Sequence, residues 1–201
     1  MFTGLVQAMG RVTGVESTGV GTRLTIDPGD WPHRPALGDS ISVDGCCLTV
    51  AWLDNDRSRA IAFDVVPETL RKTTFDAVAV GAMVNLEPSC TAATLLGGHI
   101  VQGHVEGVAE VVAARREPDE WRVRLRPPAD LMECIAPKGS IAVAGVSLTI
   151  ADTGPDWFEV ALIPTTLRLT NLAKLDTGSR CNIETDIIAR SVVNWLRRQK
   201  T

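Results

Sequence analysis

Residues 41–50 read ISVDGCCLTV, and residues 141–150 read IAVAGVSLTI. The likeness extends along the chain. Ser40 to Val50 matches Ser140 to Ile150 without a gap, and Pro67-Glu68-Thr69-Leu70-Arg71 matches Pro164-Thr165-Thr166-Leu167-Arg168. Val84-Asn85-Leu86-Glu87 answers Cys181-Asn182-Ile183-Glu184, with Gly81 and Gly178 just before. Thr3-Gly4-Leu5-Val6-Gln7 answers Gln102-Gly103-His104-Val105-Glu106. The offset stays near about 100 residues, too long for a solenoid repeat and right for a duplicated domain. The 201 residues therefore divide into units 1–97 and 98–186 and a C-terminal segment 187–201. The junction falls at Leu96-Gly97-Gly98, where glycines can turn a linker.

Each unit reads as short strands. Leu24 and Ile26, Ile41, Val43 and Gly45, Val123 and Leu125, and Phe158, Val160 and Leu162 keep a two-residue period. Many short strands between Gly and Pro punctuation lose their exposed edges by closing. The expected fold is all-β, two similar six-stranded barrels. The last segment changes period. Ile188, Val192, Trp195 and Leu196 share one helical face, with Ile187 beside them, and Arg197, Arg198 and Lys200 suit the negative end of a helix dipole. That apolar stripe has two places to go: its own barrel, or the same helix in sister subunits.

Hydrophobic residues make up 45% of the chain, enough for packed cores. A net charge of -4 with dispersed basic residues gives no reason to expect nucleic acid or an anionic membrane as partner. No apolar run is long enough to span a bilayer, and MFTGLVQAMG lacks the make-up of a signal peptide. The five cysteines form no Cys-x-x-Cys pair, and adjacent Cys46 and Cys47 would point to opposite faces of a strand. Free thiols in a reducing cytoplasm are expected.

His99 and His104 have no further ligand at a metal-binding spacing, so no metal is expected. On a strand they would face opposite ways, one structural and one able to bond a polar ligand in a pocket. Cys47 aligns with Ser147. Both fit a position needing a small polar group, although a free cysteine is most often a small core residue and a nucleophile needs a base that sequence cannot place. Thr49 and Thr149 align too, and either is a good strand former. The two Pro-x-Thr-Leu turns, with Asp64 and Glu68, offer the hydroxyls and carboxylates a polyol would bind, or ordinary loop polarity. Lys138 reads as a surface lysine or as an anchor for a carbonyl or anionic ring. No phosphate loop, metalloprotease motif or Ser-His-Asp set can be placed, and no cofactor site is expected.

MFTGLVQ, DGCCLTV, FDVVPETL, GGHIVQGHVEG, KGSIAVAGVSLT and LIPTTL together resemble the riboflavin synthases of the α-chain type, from Met1 to the last helix. The resemblance implies two homologous six-stranded Greek-key β-barrels plus a C-terminal α-helix, in a homotrimer with sites between unlike barrels of different subunits. It implies a transferase that dismutates two molecules of 6,7-dimethyl-8-ribityllumazine. A four-carbon unit moves between them, giving riboflavin and 5-amino-6-(D-ribitylamino)uracil without cofactor or metal. Two copies of one substrate would explain two copies of one barrel. A non-catalytic lumazine- or flavin-binding paralogue is the alternative on this fold.

Carried across by motif, the first pocket would use Gly4, Leu5, Val6, Cys47, Leu48, Thr49, Asp64, Val65, Val66, Pro67, Glu68 and Thr69. The second would use Gly103, His104, Val105, Lys138, Ser147, Leu148, Thr149, Ala161, Leu162, Ile163, Pro164, Thr165 and Thr166. Cys47, His104, Ser147 and Lys138 are the implied catalytic groups. The chain departs from the family pattern at Ala144, where an Asp is usual, at Asp44, where Asn is usual, and at Arg190-Ser191 in place of Lys-Tyr. A carboxylate at 144 would be expected to orient Ser147 or relay a proton.

Overall fold

The computed structural model describes residues 1–54, 59–117 and 120–199. Strand β3 (Ser40–Val43) turns into β4 (Cys46–Leu53) through Asp44 and Gly45, both at positive φ, 44° and 81°. A two-residue hairpin loop requires that backbone, because its twist matches the twist of the strands. The second repeat does the same between β9 (Ser140–Val143) and β10 (Val146–Thr153), with Ala144 at 46° and Gly145 at 77°. The two loops sit back to back. A Cβ on Gly45 would lie 2.7 Å from the Gly145 nitrogen, and one on Gly145 would lie 2.6 Å from the Gly45 nitrogen. Gly45, expected on a strand, is therefore a turn residue on the seam between the repeats.

The first repeat adds β1 (Ala8–Thr18), β2 (Gly21–Asp27), β5 (Ile61–Val65) and β6 (Met83–Pro88). They close an antiparallel barrel in the order β1-β2-β5-β4-β3-β6. The second adds β7 (Gly107–Glu117), β8 (Glu120–Arg126), β11 (Phe158–Leu162) and β12 (Arg180–Thr185), closing in the same order. The alternation read from sequence points inward: Leu24, Ile26, Ile41 and Phe63 fill the first barrel, and Leu125, Ile141, Ile150 and Phe158 the second, all fully buried. Register shifts at Val12/Gly14 and Val111/Ala113, and at Val50/Trp52 and Ile150/Asp152, recur at matching places. Bulges of this kind bend strands enough to close small barrels.

Two local expectations change. The Pro-x-Thr-Leu stretches are short helices, α1 (Pro67–Lys72) and α2 (Pro164–Leu169), rather than turns. Proline opens each, where its missing N–H is no loss. The His99–His104 stretch is extended but outside any strand, with one bridge between Val101 and Phe2. Helix α3 (Ile187–Gln199) forms as expected, started by the Asp186 carboxylate, which accepts from Ile188 N–H at 2.7 Å. It does not bury its stripe on its own barrel: Ile188 is 67% and Trp195 62% exposed. Lys200 lies outside the described residues. Among those residues, no helix is long and apolar enough to cross a membrane.

Candidate active site

The segments that lead into the barrels exchange places. Phe2 N–H donates to Val101 C=O at 2.7 Å, and Val101 N–H returns the bond at 3.1 Å. From this crossing, Gly4 runs to the second barrel and Gly103 to the first. Ser147 N–H donates to Gly4 C=O at 2.8 Å, and Cys47 N–H donates to Gly103 C=O at 2.8 Å. Val6 packs on the core of the second barrel, and Val105 on that of the first. The grouping expected from sequence, Gly4–Val6 with Cys47 and Gly103–Val105 with Ser147, is therefore reversed within the chain. Aligning repeats shows that Gly4 and Gly103 are equivalent. It does not show on which barrel each one lands.

Each leading segment is held by a buried carboxylate at the end of a strand. Glu87, on β6, accepts from Thr3 N–H and Oγ–H, both at 2.7 Å, and from Gly4 N–H at 3.0 Å. Glu184, on β12, accepts from Gln102, Gly103 and His104 N–H at 2.7, 2.8 and 2.9 Å. Burial pushes both carboxyls up from their ordinary value, and the donated N–H bonds pull them back. Between the barrels the seam is polar and nearly symmetric. Asn85 donates from its side chain to Ala144 C=O, and Asn182 from its own to Asp44 C=O, both at 2.9 Å.

On the first barrel the exchange leaves an open cavity of about 450 Å³, a size typical of small-molecule sites. Its walls are Cys46 and Cys47 on β4, Glu68 and Thr69 on α1, and Gly103-His104-Val105 on the crossing segment. Lys72, Thr73, Glu106, Asp130 and Leu131 complete it. Burial pushes the Cys46 thiol up to about 12, so it serves as a packing group. Cys47, half-buried, is the thiol presented to the cavity side.

The equivalent place on the second barrel is covered. Gly97, Gly98 and His99 lie over it. His99 N–H donates to Thr3 C=O at 3.2 Å, and its Nδ1 shares a 2.7 Å bond with Ser147 Oγ. A Cβ on Gly98 would meet Thr3 C=O at 2.1 Å and Ser147 Oγ at 2.9 Å, so only glycine fits there. His99 is 8% exposed, and burial lowers its pKa from the ordinary imidazole value. Its Nε2 is buried without a hydrogen-bond partner among the described residues. Ser147 is thus oriented by an imidazole, with alanine at 144.

The other expected residues scatter. Leu48, Val65 and Leu162 are core. Leu148 is half-buried against the second core. Thr49, Thr149, Ala161, Pro164 and Thr165 are exposed, as are Leu5, Val66 and Ile163, while Pro67 opens α1 and Thr166 is half-buried in α2. Asp64 is exposed and paired with Arg23 at 2.8 and 2.9 Å, outside the cavity lining. Lys138 occupies a turn at φ 66°, its N–H on Ile150 C=O, away from the cavity lining.

An open cavity beside Cys47 and a covered equivalent place at Ser147, each built from a β-strand Cys or Ser and a crossing segment of the other repeat, define a protein with related small-molecule sites on twin barrels. The comparisons say which. The lumazine binding domain model matches twice, over residues 3–89 and 102–186. A riboflavin synthase of Mycobacterium tuberculosis (strain ATCC 25618 / H37Rv) is 42% identical over 201 residues, covering 98% of each chain. Crystal structures of LumP complexed with 6,7-dimethyl-8-(1'-D-ribityl) lumazine and with riboflavin superpose with TM-scores of 0.82 and 0.83 at 31% and 33% identity, each covering 92% of this chain and 99% of LumP. The chain belongs to the riboflavin synthase family of duplicated lumazine-binding domains.

Proposed function

We propose that the chain is a riboflavin synthase, a transferase that moves a four-carbon unit between two ribityllumazine molecules and releases riboflavin and 5-amino-6-(D-ribitylamino)uracil. One observation carries the reading. Both repeats match the lumazine binding domain, and each sets its strand Cys or Ser against a segment of the other. Two identical substrates need two kindred sites. Holding both removes up to about 7–11 kcal/mol of encounter entropy in well-oriented cases. Cys47 and His104 at one site, and Ser147 with His99 at the other, supply polar groups for orientation and proton transfer. Lys138 is assigned to a site completed by another subunit, since it stands apart within one chain.

That subunit arrangement, a homotrimer with sites between unlike barrels, is supported by the bare apolar face of α3. Trp195→Asp is expected to reduce a trimer to smaller species in sedimentation. A folded mutant that sediments as the parent does would remove α3 from the assembly. The five free cysteines suit a reducing cytoplasm.

The activity test is direct. Purified protein mixed with ribityllumazine alone should generate riboflavin fluorescence, with two lumazines consumed per riboflavin. Tight binding of lumazine without turnover would replace the enzyme reading with a carrier one.

A further inference from the structure

Helix α3 touches the body of the protein through its basic side. Arg190 donates to the Gln102 side-chain carbonyl, and its guanidinium lies 3.3 Å from the Glu106 carboxylate. Two turns on, Arg197 pairs with Glu133 at 3.0 Å and donates to Asp130 C=O at 3.1 Å. Both grips land on the cavity of the first barrel. Gln102 and Glu106 bracket the Gly103-His104-Val105 wall, and Glu106 and Asp130 themselves line the cavity.

The Arg190 grip is the better sheltered. Its side chain and that of Glu106 are 18% and 15% exposed, against 46% and 63% for Arg197 and Glu133. Glu106 also accepts from Thr185 N–H and Oγ–H, both at 2.6 Å, immediately before the helix. Its N–H in turn donates to Ile183 C=O at 2.9 Å. The wall is thus tied to the end of β12 and the first turn of α3 together. The first repeat lacks this tie: Gln7 stands for Glu106 and Pro88 for Thr185, and no helix follows β6.

We propose that Arg190 is a positioning residue: by gripping Gln102 and Glu106 it holds the His104 wall of the first-barrel cavity, so that the seating of α3 sets the shape of that pocket. The proposal rests on the synthase reading of the pocket. It gives the exposed apolar face of α3 a consequence, because whatever covers that face also fixes the tilt of Arg190.

The test uses the full chain as Arg190→Met and Arg190→Lys, with Arg180→Met as a control that breaks the remote Arg180–Asp76 pair. Riboflavin affinity, kcat and KM for ribityllumazine, melting temperature and sedimentation are measured on each. Arg190→Met should weaken riboflavin binding about 10-fold and lower kcat about 10-fold. Arg190→Lys, which keeps the charge but not the fork, should recover part of both. In a His104→Gln background, Arg190→Met should add little, because both changes act on one wall. Arg180→Met should shift melting alone. Three results would overturn the proposal. The first is a folded Arg190→Met protein, assembled as the parent is, with binding and kcat unchanged. The second is a full additive loss in the His104→Gln background. The third is activity lost only through changed assembly, with riboflavin affinity intact. If the parent itself makes no riboflavin, the synthase reading fails, and riboflavin affinity alone still decides the role of Arg190.

Discussion

The two barrels share strand order, bulges, seam and crossing segments, yet one crevice is open and the other strapped. Over Cys47 lies a cavity of about 450 Å³. Over Ser147 lies Gly97-Gly98-His99, with an imidazole bonded to the serine. Duplication explains the sameness. The difference suits a reaction in which two identical molecules have opposite fates, one giving carbon and one receiving it. Unlike sites favour one assignment of donor and acceptor where equivalent ones would leave the two assignments equal.

The largest effect is expected from cutting the carboxylate anchors that the two barrels have in common. Glu87→Ala strands two buried N–H groups and a buried hydroxyl, and Glu184→Ala strands three N–H groups, of which only that of Gly103 is fully buried. At about 1–3 kcal/mol for each buried group left unpaired, Glu87→Ala should cost upwards of about 3 kcal/mol in denaturant titration, and Glu184→Ala, whose outer N–H groups can reach water, less. The stability loss should be larger for Glu87→Ala, while riboflavin affinity at the open cavity should fall more for Glu184→Ala, which frees the His104 wall. Near-parental stability for both would mean that the crossing segments hold by packing alone.

Much of this design was legible in the chain, and the losses are instructive. The two-residue period and the internal match gave the barrels, because inward residues such as Leu24, Ile26, Val123 and Leu125 are selected by one physical demand, burial on one face. The exchange of Gly4 and Gly103 was hidden, since a symmetric repeat looks the same whether its arms stay home or cross. The place of His99 is not legible in the sequence, because the first repeat offers no counterpart to align it with. Glu87 and Glu184 carried an unused signal: an acid matched across repeats at the end of an apolar strand implies a buried carboxylate with several donors. For Asp64 and Lys138 the sequence offers only a motif, and a motif does not reveal that Arg23 claims the Asp64 carboxylate or that Lys138 sits in a turn.

A smaller perturbation addresses the strap alone. Gly98→Ala places a methyl 2.1 Å from Thr3 C=O and 2.9 Å from Ser147 Oγ, so the strap must move off Thr3 and Ser147, which loosens the bond between His99 and Ser147. The expected result is a fall of about 10- to 100-fold in kcat, the range in which mispositioned reacting groups typically act. Riboflavin affinity at the open cavity should stay within about 2-fold, since no wall of it moves. Equal loss at both sites, or none in kcat, would show that the strap has no separate duty.

The mildest test concerns the one charged difference on the seam. Asp44 and Ala144 occupy the same turn position in their repeats, at φ 44° and 46°. The Asp44 carboxylate accepts from Asn85 N–H at 2.7 Å and from the Asn171 side chain at 2.9 Å. Burial nevertheless outweighs these bonds and raises its pKa to about 7. A carboxyl whose folded pKa exceeds its unfolded value of about 3.9 favours the folded state at low pH. That contribution is lost as the pH rises from about 4 through about 7. Asn tolerates positive φ and keeps the oxygen that both donors use. Asp44→Asn should therefore leave stability unchanged at pH 4 and raise it at pH 8. The full linkage is trimmed because the residue is only half-buried, so a gain of about 1–2 kcal/mol is expected, or about 4 °C in melting temperature. Ala144→Asp should install the same pH dependence on the other side of the seam. Melting curves for the parent and both mutants at the two pH values decide the matter. A shift of equal size at pH 4 and pH 8 would show that Asp44 acts through turn geometry, and that the seam is indifferent to which barrel carries the charge.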